Sequence, residues 1–484
     1  MTRTKLFALA ALLLFALGAS VVALAQDERV SPPAQVHQQS APQPEIYRPA
    51  GTVVTPRSDS APAGYAHTNY KVFVPQGRRI SSPQPDYTFA ETPASLGCVY
   101  AVGPSYPGCN PALGGTNHPT GGWGAIVLVD AYDNPNAGSD LAFFSSSFSL
   151  PKPNFKKIYA NQGWGNLSGL QASCLGKPAG DPDWGLEEDL DIQWAHAMAP
   201  DAQIVLVEAC SNSTQDLLFA EVVANIVAQQ FGGGDISNSW GGSESKGQLG
   251  MPAQLPLGGW DNVFYRQGIG NASWATSPFN IVYFASAGDS GHYPPSEYPS
   301  TNPWVVSAGG TTVNRDQHGN FVSESCWSGS GGGPSHIEFY QVASIFNGPG
   351  PWTNYQYGLF GGFPYHVPPR DTPDIAFDAD PNSGVYVYDT YTDSPGWYIV
   401  GGTSVSSPAL AGIVNSANNR LGQATLQGGL YTNEENNLLY SQEDAFTAYP
   451  ANFYDVTTGS NGVPAGPGYD ECTGVGTPRG KLGK

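Results

Sequence analysis

The chain has 484 residues, enough for one large domain or two to three smaller ones, and a formal net charge of −20 at pH 7. This acidity argues against nucleic-acid binding, because no basic face is available to neutralise phosphates. Charged residues make up only 12% of the chain, while Gly (60) and Pro (42) are abundant, as in loop-rich extracellular proteins. The acidity either serves solubility or indicates a protein that works in acid.

The first 25 residues have the pattern of a secretory signal peptide. Arg3 and Lys5 precede an apolar run over 6–24, and Ala23-Leu24-Ala25 is a small-residue cleavage site. We therefore expect a secreted or extracellular protein. The run is also long enough to span a membrane, so an uncleaved anchor is the alternative, although no later segment is long and apolar enough to do so.

Residues 26–90 are rich in Pro, Ser and Gln and show no sustained periodicity. This pattern predicts a linker or a short pro-segment. The remaining chain, 91–484, is predicted to form a single large domain. It contains six cysteines, an even number that favours disulfides in an exported protein. Pairing between neighbours along the chain predicts the bonds Cys98–Cys109, Cys174–Cys210 and Cys326–Cys472. None of the cysteines has CxxC spacing, which argues against a zinc or redox site.

Apolar runs alternate with helical patterns from residue 123 onward, and this alternation predicts an α/β fold. Continuous apolar runs are typical of parallel strands buried on both faces. Four are predicted: 125–129, 204–207, 281–285 and 304–308. Helices are predicted over 188–198 and 214–231. Such alternation implies a parallel sheet flanked by helices, with ligands at the carboxyl ends of its strands.

Ser404 is the candidate nucleophile. It follows Gly401 and Gly402 and precedes an apolar helix over 409–414. Glycine allows a sharp turn and close approach of a substrate, and a helix N-terminus favours developing negative charge. Pro408 is expected in the first helical turn, where proline is tolerated. The alternative is an ordinary helix cap, since Ser and Thr are common caps.

Glu187 and Asp191 are candidate acid–base groups. They are four residues apart, so a helix places both on one face. Two carboxyl groups held together raise the pKa of one of them, which can then act as a base. The alternative is that acidic residues favour a helix N-terminus.

Two further motifs suggest a peptide-binding cleft. Asp289 lies in the motif Ser286-Ala287-Gly288-Asp289-Ser290-Gly291, just after a predicted strand. Its position at the carboxyl end of that strand would make it face the cleft. The alternative is an ordinary turn with Asp beside Gly. Ser239, Trp240 and Gly241 lie in a segment, 237–242, that is predicted to be an edge strand pairing with an extended substrate.

The C-terminal region contains a candidate calcium site. Asp455 and Asp470 flank Gly-rich loops with free carbonyl groups, and such hard oxygen donors suit calcium. The ligand spacing of an EF-hand is absent. Ordinary Asp-Gly loops are the alternative.

Taken together, these motifs resemble the sedolisin family of serine-carboxyl peptidases over roughly residues 91–484. The G-T-S-x-x-x-P element around Ser404 is shared with subtilisins. The combination with Glu187-x-x-x-Asp191 and the motif around Asp289 is specific to sedolisins, and the segments 370–375 and 379–381 also look like that family.

The resemblance implies a subtilisin-like fold and an acid-active serine endopeptidase. Ser404, Glu187 and Asp191 would form its triad, and Asp289 would take the oxyanion-hole place. One structural calcium ion would be bound by Asp455, the carbonyls of Val456, Gly466 and Gly468, and Asp470. The expected partners are protein or peptide substrates. We expect a monomer with no stable membrane association.

Two other functions compete with this one. The first is a subtilisin-type peptidase with Asp130, His196 and Ser404, whose histidine base would work near neutrality. The second is a secreted, non-catalytic protein that keeps the fold.

Overall fold

The computed structural model describes residues 45–162, 170–245, 248, 260–264, 281–292, 296–339, 369–417, 435–436, 439–440 and 449–482. The predicted signal peptide lies outside the described residues. Contacts group Pro44–Lys484 into one compact unit.

The centre of this unit is a mainly parallel sheet of eight strands. Its strands carry continuous apolar runs, and most of their residues are buried. The order is β12-β11-β9-β7-β4-β6-β5, with β15 also paired to β11 and only β12 antiparallel. The bounds are β4 Ala125–Ala131, β5 Asn154–Tyr159, β6 Gln203–Ala209, β7 Gly234–Asn238, β9 Ile281–Ser286, β11 Val306–Arg315, β12 Phe321–Cys326 and β15 Ile375–Asp378.

The four predicted strands are confirmed as β4, β6, β9 and β11. The last of these begins two residues later than predicted and runs to Arg315, because its polar second half pairs with β12 and is buried there. Burial of Thr311 and Asn314 in a strand pairing gives no apolar signal in the sequence.

Helices cover both faces of the sheet. Their bounds are α1 Pro93–Val99, α2 Ala137–Ser147, α3 Pro182–Met198, α4 Thr214–Gln230, α5 Thr403–Ser416 and α6 Tyr449–Asn452. The helix predicted from residue 188 begins at Pro182, because the Asp181 carboxylate accepts hydrogen bonds from the backbone N–H groups of Asp183 and Trp184. Helices α3 and α5 pack against each other. This packing sets the geometry of the site.

Smaller sheets complete the unit. Strands β1 (Gly51–Val54), β3 (Lys71–Pro75), β17 (Gly396–Gly401) and β16 (Val385–Asp389) form an antiparallel sheet. Strand β8 (Trp240–Ser243) lies between β2 (His67–Thr68) and β10 (Glu297–Tyr298). Two further pairs are β13 (Gly333–Phe339) with β14 (Pro369–Thr372), and β18 (Phe453–Tyr454) with β19 (Thr477–Pro478).

The described part of the predicted linker or pro-segment, 45–90, contributes three of these strands. β3 pairs with β17, and β2 pairs with β8. The structure therefore shows no division of contacts at residue 90. These strands are two to five residues long, too short to give a periodic signal in the sequence.

All three predicted disulfides are present. They are Cys98–Cys109, Cys174–Cys210 and Cys326–Cys472. In the part of the chain that the structure describes, the helices are too short or too polar to cross a membrane.

Candidate active site

Ser404 lies in the first turn of α5, directly after strand β17, and is completely buried. Gly402 is the N-cap with φ 117°, a backbone conformation that favours glycine. A Cβ atom at Gly402 would collide with the carbonyl oxygen of Asn69 and would lie 2.5 Å from Oδ2 of Asp289. The glycine therefore leaves space beside the serine.

Pro408 is not in the first turn of α5, contrary to the prediction, because the helix already begins at Thr403. A proline inside a helix has no N–H group for the carbonyl four residues earlier, which here belongs to Ser404. That carbonyl oxygen instead accepts a hydrogen bond of 3.3 Å from the hydroxyl of Ser239. The proline thus frees a main-chain acceptor at the serine.

Glu187 and Asp191 lie on α3 and are fully buried. Burial, followed by the charge of Asp191, raises the pKa of Glu187 well above its usual value. The nearby Ser404 hydroxyl lowers the pKa of Glu187. In this structure that hydroxyl donates a hydrogen bond of 3.2 Å to the carbonyl oxygen of Ser239. Burial likewise raises the pKa of Asp191. Two such carboxyl groups together hold a proton more tightly than an exposed carboxyl group does.

Ser239 connects these groups. Its hydroxyl hydrogen-bonds Oδ1 of Asp191 at 2.6 Å and also approaches the carbonyl oxygen of Ser404. The prediction of one edge strand over 237–242 is wrong. Residues up to Asn238 end β7 inside the main sheet, whereas Trp240 and Gly241 begin β8, which has a strand on each side. Apolar patterning alone does not separate two strands that meet at a bend.

Asp289 follows β9 and is placed opposite the start of α5. Its Oδ1 accepts hydrogen bonds from the backbone N–H of Thr403 at 2.7 Å and from the Thr403 hydroxyl at 3.0 Å. Its Oδ2 is buried and has no hydrogen-bond partner in the described residues. Burial raises the pKa of Asp289 to about 7. The carboxyl group is therefore protonated in acid and can donate a hydrogen bond there.

Asp130 is a further buried acid near the carboxyl groups of Glu187 and Asp191. Its negative charge raises the pKa values of both. Burial and then the charge of Glu208 raise the pKa of Asp130 itself to about 8. Glu208 was not a candidate in the sequence, because only the pairing of β4 with β6 places it opposite Asp130.

His196 is not brought to the serine. It is nine positions after Glu187 on α3, and at about 100° per residue it lies on the opposite side of the helix. Its Nε2 atom is 3.0 Å from the carbonyl oxygen of Pro151. Burial lowers its pKa to about 4.

The C-terminal loop brings its predicted ligands close together. The backbone N–H of Gly468 donates to Asp455 at 3.2 Å, and that of Gly466 donates to Asp470 at 3.1 Å. Both carboxylates therefore face the glycine loop. The carbonyl groups of Gly466 and Gly468 in this loop, and that of Val456, are the other predicted ligands. A separate cluster of three buried carboxyl groups, Asp140, Asp189 and Asp389, lies outside this loop.

No protein-family model matches the chain. It is 28% identical over 380 residues to kumamolisin from Bacillus sp. (strain MN-32), covering 73% of this chain and 58% of that protein. It is 24% identical over 362 residues to sedolisin from Pseudomonas sp. (strain 101), covering 70% of this chain and 53% of that protein. The chain thus matches between half and two thirds of the length of these relatives.

Among solved structures, it is similar to Pseudomonas sedolisin, a serine-carboxyl proteinase, in complex with two molecules of pseudo-iodotyrostatin. The TM-score is 0.57 at 21% sequence identity, and the match covers 81% of this chain and 96% of that one. This likeness concerns the fold. The chain is therefore related to the sedolisin family and has its subtilisin-like fold.

Proposed function

We propose that this chain is a secreted serine-type endopeptidase that hydrolyses peptide bonds in acid through an acyl-enzyme on Ser404. The observation that carries the proposal is the packing of α3 against α5, with Glu187 and Asp191 buried on the first helix and Ser404 in the first turn of the second. A serine hydroxyl is a weak nucleophile and needs an adjacent base.

Glu187 is the proposed base. Its raised pKa makes its carboxylate a stronger proton acceptor than an exposed glutamate. As Ser404 Oγ attacks the substrate carbonyl, Glu187 takes the hydroxyl proton and then delivers it to the leaving amine. Asp191, hydrogen-bonded to Ser239, shares the proton of this pair and holds its geometry. Water then hydrolyses the ester by the same route.

The oxyanion is stabilised from two directions. The backbone N–H of Ser404 at the start of α5 is one donor. The other is the protonated Asp289 carboxyl, whose Oδ2 atom is directed to the space left by Gly402. This second donor requires acid conditions, because an ionised carboxylate would repel the charge.

Protein and peptide substrates are proposed to bind as an extended strand at Ser239, Trp240 and Gly241, where they would displace β2 from β8. Three disulfides support function in an oxidising compartment, as expected for a secreted protein. The C-terminal loop residues Asp455, Val456, Gly466, Gly468 and Asp470 offer the hard oxygen donors of a structural calcium site. The proposed enzyme acts as a monomer.

The direct test is to incubate the protein with a denatured protein from pH 2 to 8 and map the cuts by mass spectrometry. We expect internal cuts in acid that are absent with the Ser404→Ala variant. Cleavage that persists in this variant, or is strongest at neutral pH and depends on His196, would favour a different peptidase chemistry. A protein inactive at every pH, and not labelled by a peptide aldehyde, would be a non-catalytic relative.

A further inference from the structure

Three carboxyl groups that the proposed mechanism does not use lie together on three different elements. Asp140 is on α2, Asp189 is on α3, and Asp389 is the last residue of β16. One oxygen atom of each lies within 4.8 Å of the corresponding atoms of the other two. Calcium binds oxygen ligands at about 2.3–2.6 Å, so ligands on opposite sides of one ion are about 4.6–5.2 Å apart. One calcium ion can therefore reach all three groups.

The three groups are buried without a positive charge beside them. Asp140 is 2% exposed, and Asp189 and Asp389 are 0% exposed. In the part of the chain that the structure describes, no lysine, arginine or histidine forms an ion pair with any of them. Burial raises the pKa of each, and the charges of Asp389 and Asp140 raise that of Asp189 further. Buried carboxyl groups in such a setting require either protons or a cation.

The surrounding hydrogen bonds hold two of these groups as acceptors. The Asn134 amide donates to Oδ2 of Asp189 at 2.7 Å, and the Gln193 amide donates to its Oδ1 at 3.3 Å. The backbone N–H of Thr390 donates to Oδ2 of Asp140 at 2.8 Å, and the Thr390 hydroxyl donates to the same carboxyl group. Each carboxylate oxygen has a second lone pair. Donors placed in this way orient the carboxyl groups as they orient the ligands of metal sites.

Asp389 has an oxygen atom that the protein does not pair. Its Oδ1 accepts hydrogen bonds from the backbone N–H groups of Tyr391 and Thr392. Its Oδ2 is buried and has no hydrogen-bond partner among the described residues. The buried carboxyl groups of Glu188 and Glu208, in contrast, are hydrogen-bonded to each other. An unpaired buried oxygen beside two other carboxyl groups indicates a ligand that the chain itself does not supply.

We propose that Asp140, Asp189 and Asp389 bind one calcium ion, at a site separate from the C-terminal loop. Each carboxylate supplies at least one oxygen ligand, and the unpaired Oδ2 of Asp389 is one of them. Water completes the coordination, since calcium takes about six to eight oxygen ligands. The partly exposed turn 390–395 next to Asp389 gives the ion its route from solvent. This inference does not depend on the peptidase function.

The ion connects the elements that carry the proposed catalytic residues. Asp189 lies between Glu187 and Asp191 on α3. Asp389 ends β16, which pairs with β17, and β17 leads directly to the turn that carries Ser404. A calcium ion held by both therefore fixes the helix of the proposed base against the hairpin that precedes the nucleophile. It also replaces the repulsion among three buried negative charges by attraction.

The test counts the calcium bound to the full chain with Ser404→Ala at neutral pH, by dialysis against calcium chloride followed by metal analysis. The variant Asp455→Asn, which lacks the C-terminal loop site, should still bind one ion. In that background, Asp389→Asn should weaken calcium binding about tenfold or more in a calorimetric titration, because it removes one ligand charge. Asp140→Asn should do the same. Glu221→Gln, the change of a buried acid outside the cluster, is the matched control and should bind calcium normally.

Melting temperatures separate a metal ligand from a structural carboxylate. With a chelator, Asp389→Asn should melt at or above its parent, because one of three like charges is gone. With calcium, it should gain less than its parent does. A variant that melts lower by the same amount with and without calcium would show a structural carboxylate, and the site would be wrong.

The two calcium sites fail separately. If Asp455→Asn binds no calcium, or if the Asp389 and Asp140 variants bind it as tightly as their parent, the buried site is overturned and the loop site is unaffected. If Asp455→Asn binds as much calcium as the parent chain and Asp389→Asn removes that ion, the buried site stands and the loop site is wrong.

Discussion

The side chains of Asp130 and Glu208 extend from directly opposed positions on strands β4 and β6, and both are fully buried. Asp130 also acts on the proposed Glu187–Asp191 pair, where each negative charge makes the next ionisation harder. We predict that Asp130→Asn lowers the apparent pKa of the pair and moves the acid limb of kcat/KM to lower pH.

The control for this variant is Glu221→Gln. Glu221 is also a fully buried acid, on α4, and its pKa is raised to about 8 by burial. Its charge raises the pKa of Tyr283 and is not among the influences on Glu187 or Asp191. Its removal should leave the pH profile of hydrolysis unchanged. An identical acid limb in wild type and Asp130→Asn would show that Asp130 does not act on the pair.

Ser404→Ala and Glu187→Gln should each lower peptide hydrolysis by several orders of magnitude without unfolding the protein. Their effects should be similar in size, because members of one catalytic unit are not additive. His196→Gln should retain nearly all of kcat, since His196 faces Pro151. Steady-state kinetics and circular dichroism check these outcomes. A large loss of kcat in the histidine variant alone would favour the subtilisin-type assignment.

The alkaline limb of activity is predicted to belong to Asp289. Its pKa of about 7 means that it donates a hydrogen bond below this pH and repels the oxyanion above it. Activity should therefore fall as the pH rises through about 7. Asp289→Asn keeps an N–H donor at every pH, so it should lose some peak activity but decline less toward alkaline pH. An unchanged alkaline limb in this variant would remove Asp289 from the oxyanion hole.

Stability should decrease as the pH rises from acid to neutral. The folded-state pKa of Glu221 is raised above its unfolded value, so the folded protein binds its proton more tightly. The stabilising contribution is complete below the unfolded pKa of about 4.3 and is lost as the pH rises toward about 8. In the Ser404→Ala background, which prevents self-digestion, Glu221→Gln should lose less unfolding free energy between pH 5 and 8. Equal losses in urea titrations would contradict this.

Calcium removal is predicted to lower the melting temperature, because a ligand that binds only the folded state stabilises it. Differential scanning calorimetry with and without a chelator measures the effect. Asp455→Asn should melt lower than the parent protein and respond less to the chelator. The calcium site would be rejected if metal analysis finds no calcium and the chelator leaves the melting temperature unchanged.

The parallel sheet was predictable because parallel strands that are buried on both faces consist of continuous apolar runs, as in 125–129 and 204–207. The positions of Glu187, Asp191 and Ser404 at one helix–helix contact agree with the motif spacing, since both helices carry local signals. Asn69 was not predictable. It lies in a segment without periodicity, and its contact with Ser404 depends on the pairing of β2 with β8, a long-range relationship that no local pattern encodes.

Pro408 has a practical consequence for trapping intact substrates. Because Pro408 has no N–H group, the Ser404 carbonyl oxygen lacks its usual helical partner and accepts a hydrogen bond from the Ser239 hydroxyl. That hydroxyl also hydrogen-bonds Asp191. This tether involves no atom of the serine side chain. A chain with alanine at 404 should therefore keep the backbone of the site in place while lacking its reactive oxygen, and it provides an inert receptor for crystallising uncut peptides.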